Sequence, residues 1–296
     1  MSMHSTDIKV SCADFRSVAR ALTIVENDLQ GADELLRNLR FEKNTPIIGV
    51  TGPPGAGKST LVNGIIDELV KTGSKIAVLA IDPTSPFNFG SLLGDRIRMS
   101  SHFNHPDVFI RSLATRGSLG GLSAKTIEMA DVLRGAGFDY VLIETVGVGQ
   151  SEIEIAGLAD FTFVVLVPES GDEIQNIKSG LMEIADAFII NKADRADADL
   201  FVNNLKKIIQ QKGDEHLPVL KTIASQGTGI NEAIDFIKTS PGLKNKRKEF
   251  LLAEKAYKII QQKRMAGIDK KKLQQDIAEA LNDEEFNLYA FVEKYL

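Results

Sequence analysis

The chain is poor in several residue types, and each scarcity limits what it can be. Its 296 residues include one cysteine, Cys12, so no disulfide framework can form within the chain, and a lone thiol fits a reducing compartment. Basic residues do not exceed acidic ones, since 35 Lys and Arg stand against 40 Asp and Glu, a formal net charge of −5. The sequence therefore lacks the electrostatic footprint of a protein that binds DNA or RNA.

Long apolar runs are also missing. No stretch approaches the roughly 18 consecutive apolar residues that mark a membrane-spanning helix. The first seven residues, MSMHSTD, have neither the apolar core of a secretion signal nor the Arg-rich pattern of an organelle leader. We therefore expect a soluble, cytoplasmic protein that does not associate with a membrane.

What the sequence does contain is a glycine-rich stretch that fits the pattern G-x-x-x-x-G-K-[ST]. An apolar, β-branched run precedes it at residues 46–51, and apolar residues at helical spacing follow it between 61 and 70. A strand, a glycine-rich turn and a helix N-terminus direct backbone N–H groups and the helix dipole at an anion. We therefore predict a nucleoside triphosphate site formed by Gly52, Pro53, Pro54, Gly55, Ala56, Gly57, Lys58, Ser59 and Thr60.

From residue 46 onward, apolar β-branched runs alternate with helical patterns. Strands are predicted at 46–51, 75–81, 107–113, 139–145, 160–167, 186–191 and 219–224. Helical patterns lie near 123–134, 152–158, 173–184, 198–211 and 230–238. The alternation predicts an α/β fold with a mostly parallel sheet flanked by helices, and with ligands bound at the carboxyl ends of the strands.

Helical patterns without a β signal flank the alternating region on both sides. We therefore divide the chain into an N-terminal helical extension at 1–44, a P-loop domain at 45–240 and a C-terminal helical extension at 241–296. The last unit, at about 50 residues, is too small to form a good core alone. It must pack on the main domain or on a second copy of the chain.

The tetrapeptide N-K-x-D at the end of a predicted strand indicates that the nucleotide is GTP. Asp194 can accept hydrogen bonds from the N1–H and N2–H₂ groups of guanine, which adenine lacks, so we expect discrimination against ATP on the order of 10⁴. The Lys192 stem can lie against the base, and Asn191 can tie this loop to the phosphate loop. Ala224 and Ser225 follow the next strand, where GTPases offer a backbone N–H to the guanine O6.

A D-x-x-G-like element, with glutamate in the aspartate position, ends the predicted strand at 139–145. The carboxylate of Glu144 would hold Mg²⁺ together with the Ser59 hydroxyl, while Lys58 would reach the β- and γ-phosphates. Gly147 could bring its N–H to the γ-phosphate, because no Cβ stands in the way. Asp82 ends another strand and is read either as a group near Mg²⁺ that orients water or as a helix or turn cap.

Two further loops, at residues 90–98 and 111–122, carry glycine and arginine between regular elements, as phosphate-sensing loops do. Asp95 could approach Mg²⁺, and Arg98 or Arg116 could approach the phosphates; surface ion pairs of little energetic weight are the alternative. The D-x-x-G-like element is followed by Val148, where Ras-like proteins have the glutamine that orients water, and Gln150 lies two residues further on. We therefore predict slow hydrolysis by the isolated protein and acceleration by a partner.

Taken together, these segments closely resemble the MeaB/ArgK family, the G-protein chaperones of adenosylcobalamin-dependent methylmalonyl-CoA mutase. The resemblance runs from about residue 15 to 240. Its most specific part is Glu-Thr-Val-Gly-Val-Gly-Gln-Ser-Glu at 144–152. The other matching segments are residues 52–60, 82–85, 93–99, 116–121 and 191–194.

The resemblance implies a GTPase, using GTP, GDP and Mg²⁺, that docks on an adenosylcobalamin-dependent acyl-CoA mutase. It implies that the protein gates cofactor delivery, protects or rescues the mutase, and forms a homodimer through its C-terminal helices. A third mobile loop would couple GTP to the mutase, and here it falls at 170–178, with Asp172 and Lys178 as its functional residues. The chain departs from the family near its end, where it has no tryptophan and only a loose counterpart of an Arg/Gln-rich segment at 246–250.

Two other functions fit the same motifs less well. A nickel-insertion GTPase of the hydrogenase or urease type needs soft or imidazole ligands, and among Cys12 and the four histidines only His102 and His105 could form a partial site. A GTPase that targets proteins to the membrane needs a basic or amphipathic docking face, for which the chain offers only the short run at 244–248.

Overall fold

Seven strands form one sheet in the computed structural model, which describes residues 10–82, 99–114, 124–145, 155–169, 181–211, 217–239, 248–282 and 286–295. In chain order the strands are β1 (Ile47–Thr51), β2 (Ile76–Asp82), β3 (Val108–Ala114), β4 (Tyr140–Thr145), β5 (Phe161–Leu166), β6 (Ala187–Ile190) and β7 (Val219–Lys221). Their order across the sheet is β3-β2-β4-β1-β5-β6-β7, and every neighbouring pair is parallel. The α/β prediction is confirmed, and β1 lies at the centre of the sheet.

The longer described helices are α1 (Phe15–Glu26), α2 (Ala32–Arg37), α3 (Lys58–Lys71), α4 (Ala124–Gly135), α5 (Ala198–Gln211), α6 (Ile230–Thr239), α7 (Lys248–Met265), α8 (Lys270–Ala280) and α9 (Leu288–Val292). Single helical turns lie at Ser100–His102, Ile155–Gly157, Met182–Ile184, Ala224–Gln226 and Glu293–Tyr295. Because helices cover both faces, β1 and β5 are buried at every position.

The two faces of the sheet bury different helices. One face packs against α3 and α6, which contribute residues such as Ile65 and Ile234 to a core shared with Ile48 of β1. The other face packs against α1 and α4, whose Leu22 and Leu133 share a core with strand residues. The α1 helix of the N-terminal extension therefore packs its apolar face into a core that it shares with the sheet.

The C-terminal extension contacts the domain mainly through α7, which lies against α4 and the turn Ile155–Gly157. Ile259 of α7 packs on the core that contains α1 and α4, and Lys263 pairs with Asp33 of α2. The α8 helix, by contrast, has no buried residue. Only part of this extension is thus covered by the described part of the chain.

One predicted strand is shorter than expected. The sequence predicts a strand at 219–224, but β7 ends at Lys221 and a helical turn occupies Ala224–Gln226. The reason is that Ile223 forms an isolated antiparallel bridge with Thr228, which folds the chain back on itself. The predicted helix near 152–158 is described only as the turn Ile155–Gly157, and most of the predicted helix at 173–184 lies outside the described residues.

Among the helices that the structure describes, none combines the length and the apolar character required to cross a membrane.

Candidate nucleotide-binding site

The glycine-rich loop runs from the end of β1 into the first turn of α3, and its backbone is shaped by close neighbours. Gly52 has a φ of +136°, and a Cβ there would lie 2.0 Å from the carbonyl oxygen of Val165 in β5. Gly57 has a φ of +86°, and a Cβ there would lie 2.3 Å from Nδ2 of Asn191. Any larger residue at either position would force these neighbours apart. The loop is therefore confined between β5 and the segment that follows β6.

The N-terminus of α3 is open to an anion. Gly57 is its N-cap residue, and no side chain caps the helix there. The first backbone N–H groups of a helix have no partner within the helix, and the helix dipole adds positive potential at this end. A phosphate placed in the loop would meet both.

Lys58, the first residue of α3, turns its ammonium group back over the loop. Its Nζ donates hydrogen bonds to the carbonyl oxygens of Gly52, at 2.7 Å, and Pro53, at 2.9 Å. The side chain is only 6% exposed. A buried cation is thus held at the centre of the loop, where it can bind phosphate oxygens.

Ser59 and Glu144 come together at the start of α3. The Ser59 hydroxyl donates to Oε1 of Glu144 at 2.6 Å, and both side chains are buried. Their proximity follows from the sheet, since β4 pairs with β1 and Glu144 lies in register with Val50. A hydroxyl and a carboxylate are the hard oxygen ligands that Mg²⁺ prefers, so these residues fit the predicted ion.

Asn191 links the predicted guanine loop to the phosphate loop, as its sequence position predicts. Its Nδ2 donates to the carbonyl oxygen of Ala56 at 2.9 Å. Its Oδ1 accepts from the Thr222 hydroxyl and from the Ala224 N–H, each at 3.1 Å. Every polar atom of this buried amide therefore has a partner, which fixes its orientation.

Lys192 makes a second link between the same two loops. Its Nζ donates to the carbonyl oxygen of Gly55 at 2.9 Å, and its backbone adopts a φ of +56°. The left-handed backbone is uncommon outside glycine, and here it lets the chain turn immediately after β6. Asp194 and Ser225 are exposed beside these links, whereas Ala224 is buried.

Thr222 is a member of this site that sequence reasoning missed. It has no exposed surface and supplies one of the hydrogen bonds that orient Asn191. Thr222 follows a strand that neighbours β6, and parallel strands end at the same edge of the sheet. This position could have indicated that Thr222 lies near the ligand-binding edge. A threonine alone is too common to be singled out from sequence.

For several predicted site residues the structure describes no side chain. Asp82 is the last residue of β2, and only its backbone is described. Its proposed role near Mg²⁺ stays a prediction. The same holds for residues that fall outside the described ranges: Asp95, Arg98, Arg116, Gly147, Gln150, Asp172 and Lys178.

His102 and His105, which were considered as a partial nickel site, make other contacts. His102 is buried, with Nε2 3.6 Å from a carboxylate oxygen of Asp67 in α3. His105 accepts a hydrogen bond at Nδ1 from the Asp107 N–H. Within the described residues, no group of three or more His, Cys, Asp or Glu could hold a metal ion.

Comparison with known proteins agrees with this geometry. The family model of the methylmalonyl-CoA mutase-associated GTPase MeaB matches residues 18–279. A Pyrococcus abyssi protein, provisionally named a GTPase, is 49% identical over 250 residues, which are 80% of this chain and 77% of that protein. The GTPase ArgK of Escherichia coli is 40% identical over 228 residues, which are 73% of this chain and 69% of ArgK.

Solved structures with the same fold include a crystal structure of LAO/AO transport system kinase. It has a TM-score of 0.66 and 25% identity, and the match covers 97% of this chain and 94% of that one. HypB from Helicobacter pylori, solved in complex with nickel, matches with a TM-score of 0.51 and 19% identity over 75% of this chain and 94% of HypB. At that identity HypB shares the fold alone. The phosphate loop, its links to residues 191–192 and the match over residues 18–279 lead to one conclusion: the chain belongs to the MeaB family and is a GTPase.

Proposed function

We propose that this GTPase is a chaperone of an adenosylcobalamin-dependent acyl-CoA mutase. Methylmalonyl-CoA mutase is the client that we favour. The observation that carries the proposal is the match over residues 18–279 to a family named for its association with that mutase. The GTPase would gate adenosylcobalamin loading and would protect or reactivate the mutase. We place this activity in the cytoplasm, as the single-cysteine composition predicts.

The nucleotide would bind along the edge formed by the carboxyl ends of β1, β4 and β6. Residues 52–60 would hold the phosphates, with Lys58 as their cation. Asp194 would accept from guanine, while Asn191 and Lys192 hold its loop against the phosphate loop at Ala56 and Gly55. The turn at Ala224 and Ser225 would lie beside the guanine O6.

Ser59 and Glu144 would hold magnesium. When bound, Mg²⁺ neutralises charge on the β- and γ-phosphates and orients them for attack by water. The contact between Ser59 and Glu144 joins α3 to the end of β4, just before the D-x-x-G-like element. Loss of the γ-phosphate would release that element, and the mutase would sense the change through residues of the predicted third loop, Asp172 and Lys178.

The proposal can be tested with purified methylmalonyl-CoA mutase and adenosylcobalamin. Because Val148 replaces the water-orienting glutamine, we expect slow GTP hydrolysis alone and an increase of at least about tenfold with the mutase. Transfer of adenosylcobalamin into the mutase should depend on whether GTP or GDP is bound. Both quantities are measurable, the first by phosphate release and the second by the cofactor's absorbance.

Two variants make this experiment specific. Lys58→Ala should abolish both the hydrolysis and its effect on cofactor transfer, because the loop loses its cation. Lys221→Ala, which removes only an exposed ion pair with Asp199, should leave both unchanged. If the wild-type protein hydrolyses GTP but the mutase changes neither its rate nor its own cofactor loading, the chaperone role is wrong and the GTPase assignment stands.

We also propose that the protein is a homodimer joined by its C-terminal helices. Support comes from the surface of α7 to α9, where large apolar side chains remain exposed in the isolated chain. Monomeric proteins rarely leave such side chains clustered on one segment.

A further inference from the structure

Two threonine hydroxyls meet inside the sheet directly behind the proposed magnesium ligands. Thr145 Oγ1 donates to Thr51 Oγ1 at 2.9 Å. Both residues have no exposed surface. Buried hydroxyls require partners, and here each provides one for the other across two strands.

The pair lies at the last position of two neighbouring strands. Thr51 ends β1 and is followed by Gly52, the first residue of the phosphate loop. Thr145 ends β4 and follows Glu144. Register places Val50 beside Glu144, so the next residue of each strand is a threonine, and the two are neighbours. The hydroxyl pair therefore connects the start of the phosphate loop to the end of β4, which carries the proposed magnesium ligand Glu144.

The pair and the carboxylate point to opposite faces of the sheet. Side chains alternate along a strand, so Glu144 lies on the face of Leu142, which packs with α3, and Thr145 lies on the face of Ile143, which packs with α1 and α4. The hydrogen bond between Thr51 and Thr145 thus joins β1 and β4 on the face of the sheet opposite to Glu144.

We expect overall stability to change little when both hydroxyls are removed together. Two valines would occupy the same volume on a face lined by apolar side chains, and replacing both members of a buried hydrogen-bonded pair by apolar groups of the same shape is nearly neutral. Two valines would lack a directional interaction. Apolar contacts do not fix the distance between two strand ends, whereas a hydrogen bond does.

We propose that Thr51 and Thr145 are positioning residues for magnesium-dependent nucleotide binding. Their hydrogen bond fixes the end of β4 against the end of β1, and so keeps Glu144 beside Ser59, the two residues that would hold Mg²⁺. This inference rests on the proposed Mg²⁺–GTP site and goes beyond it by assigning the geometry of that site to a pair of residues on the other face of the sheet.

The test measures how much magnesium strengthens nucleotide binding. A fluorescent GDP analogue is titrated against the full chain in excess Mg²⁺ and again in EDTA, and the ratio of the two Kd values is compared between variants. In Thr145→Val and Thr51→Val we expect this ratio to fall by about three- to tenfold, the effect of one buried hydrogen bond, while the Kd in EDTA stays within about twofold of wild type.

Three further variants separate positioning from folding. Thr145→Ser keeps the hydroxyl and should restore the wild-type ratio. Thr45→Val removes another buried hydroxyl, which donates to the Phe138 carbonyl oxygen near the opposite end of β1, and should lower the Tm without changing the ratio. The double variant Thr51→Val/Thr145→Val should regain the wild-type Tm and still show the reduced ratio.

The outcomes are distinct. A wild-type ratio in the double variant, or a ratio that follows Tm across all variants, would overturn the positioning role and leave the proposed site intact. Wild-type protein that binds the GDP analogue equally well in Mg²⁺ and in EDTA would instead contradict the proposed metal site itself. A reduced ratio that the serine variant restores supports the inference.

Discussion

At the scale of single residues, the proposed guanine specificity would depend on the carboxylate of Asp194, which the fold holds at the surface. Asp194 is exposed, yet the chain just before it is anchored by a buried hydrogen bond at Asn191 and an exposed one at Lys192, which together limit its position. An exposed group on a fixed turn is available to a ligand without a rearrangement of the protein. In the proposed site, specificity would therefore depend on both the Asp194 acceptor and the two links that hold its loop.

Asp194→Asn tests the acceptor. Asparagine offers one acceptor and one donor, so it cannot accept from both N1–H and N2–H₂ of guanine, and its amide donor suits a carbonyl in place of the 2-amino group. We expect GTP affinity to fall by at least about 100-fold and affinity for xanthosine triphosphate to rise. Competition against a fluorescent nucleotide measures both. Asp199→Asn, at another exposed carboxylate, serves as the control and should bind GTP as wild type does.

The buried His102 imidazole makes stability depend on pH. Burial lowers the pKa of His102 below its ordinary value of 6.5; Asp67 opposes this shift and His105 adds to it. The unfolded chain therefore binds the proton more readily than the folded chain. The free energy of unfolding is fully retained above pH 6.5 and falls as pH drops from there toward the lower pKa of the folded state.

Chemical unfolding of variants checks this sign. Between about pH 5.5 and about pH 7.5, His102→Gln should remove part of the wild-type slope, which for one group is at most about 1.4 kcal/mol per pH unit. Asp67→Asn should steepen the loss at low pH, because it removes the charge that raises the pKa of His102. A glutamine variant with the full wild-type slope would show that other groups cause it.

At the scale of elements, the sequence predicts the strands well and the contacts between them poorly. Parallel strands covered on both faces are continuous apolar runs, so β1, β2 and β5 are visible without a structure. The hydrogen-bond partners of side chains are harder to predict than the strands. A hydroxyl such as that of Thr51 or Thr222 finds its partner only through strand order and register, which the sequence does not show directly. The end of β7 was missed for the same reason, since the bridge from Ile223 to Thr228 is a tertiary feature.

Among the side chains of α7 that the structure describes, Ile259 packs on the core of the domain, while neighbours such as Tyr257 and Ile260 are exposed. We therefore expect Ile259 to help hold α7 on the domain. We expect Ile259→Ser to lower the free energy of unfolding by about 1–2 kcal/mol and to open α7 to proteolysis. Leu200→Ser, at an exposed position of α5, should do neither. Limited proteolysis with mass spectrometry identifies the cut sites.

At the scale of the whole molecule, the apolar surface is distributed unevenly. Most of the large apolar side chains exposed in the described residues belong to the C-terminal helices: Leu252, Tyr257, Ile260, Met265, Leu281, Leu288, Tyr289 and Val292. The α8 helix has no fully buried residue. The domain that holds the nucleotide site is thus well packed, whereas the extension leaves many of its described apolar side chains uncovered.

We predict that the chain self-associates through this surface of the C-terminal helices, and that nucleotide binding does not depend on it. Tyr257 and Ile260 are 64% and 54% exposed and lie three residues apart on α7, so they share one side of the helix. Replacing both with lysine would place two charges in an apolar interface, and we expect the dimer to weaken by at least about tenfold. Sedimentation equilibrium over a range of concentrations measures this, and Leu200→Lys on α5 controls for added surface charge.

GTP affinity should not change in either variant, because the nucleotide site lies at the carboxyl ends of the strands. Wild-type protein that stays monomeric at about 100 μM, a concentration at which an obligate dimer would be fully associated, would contradict the proposed homodimer.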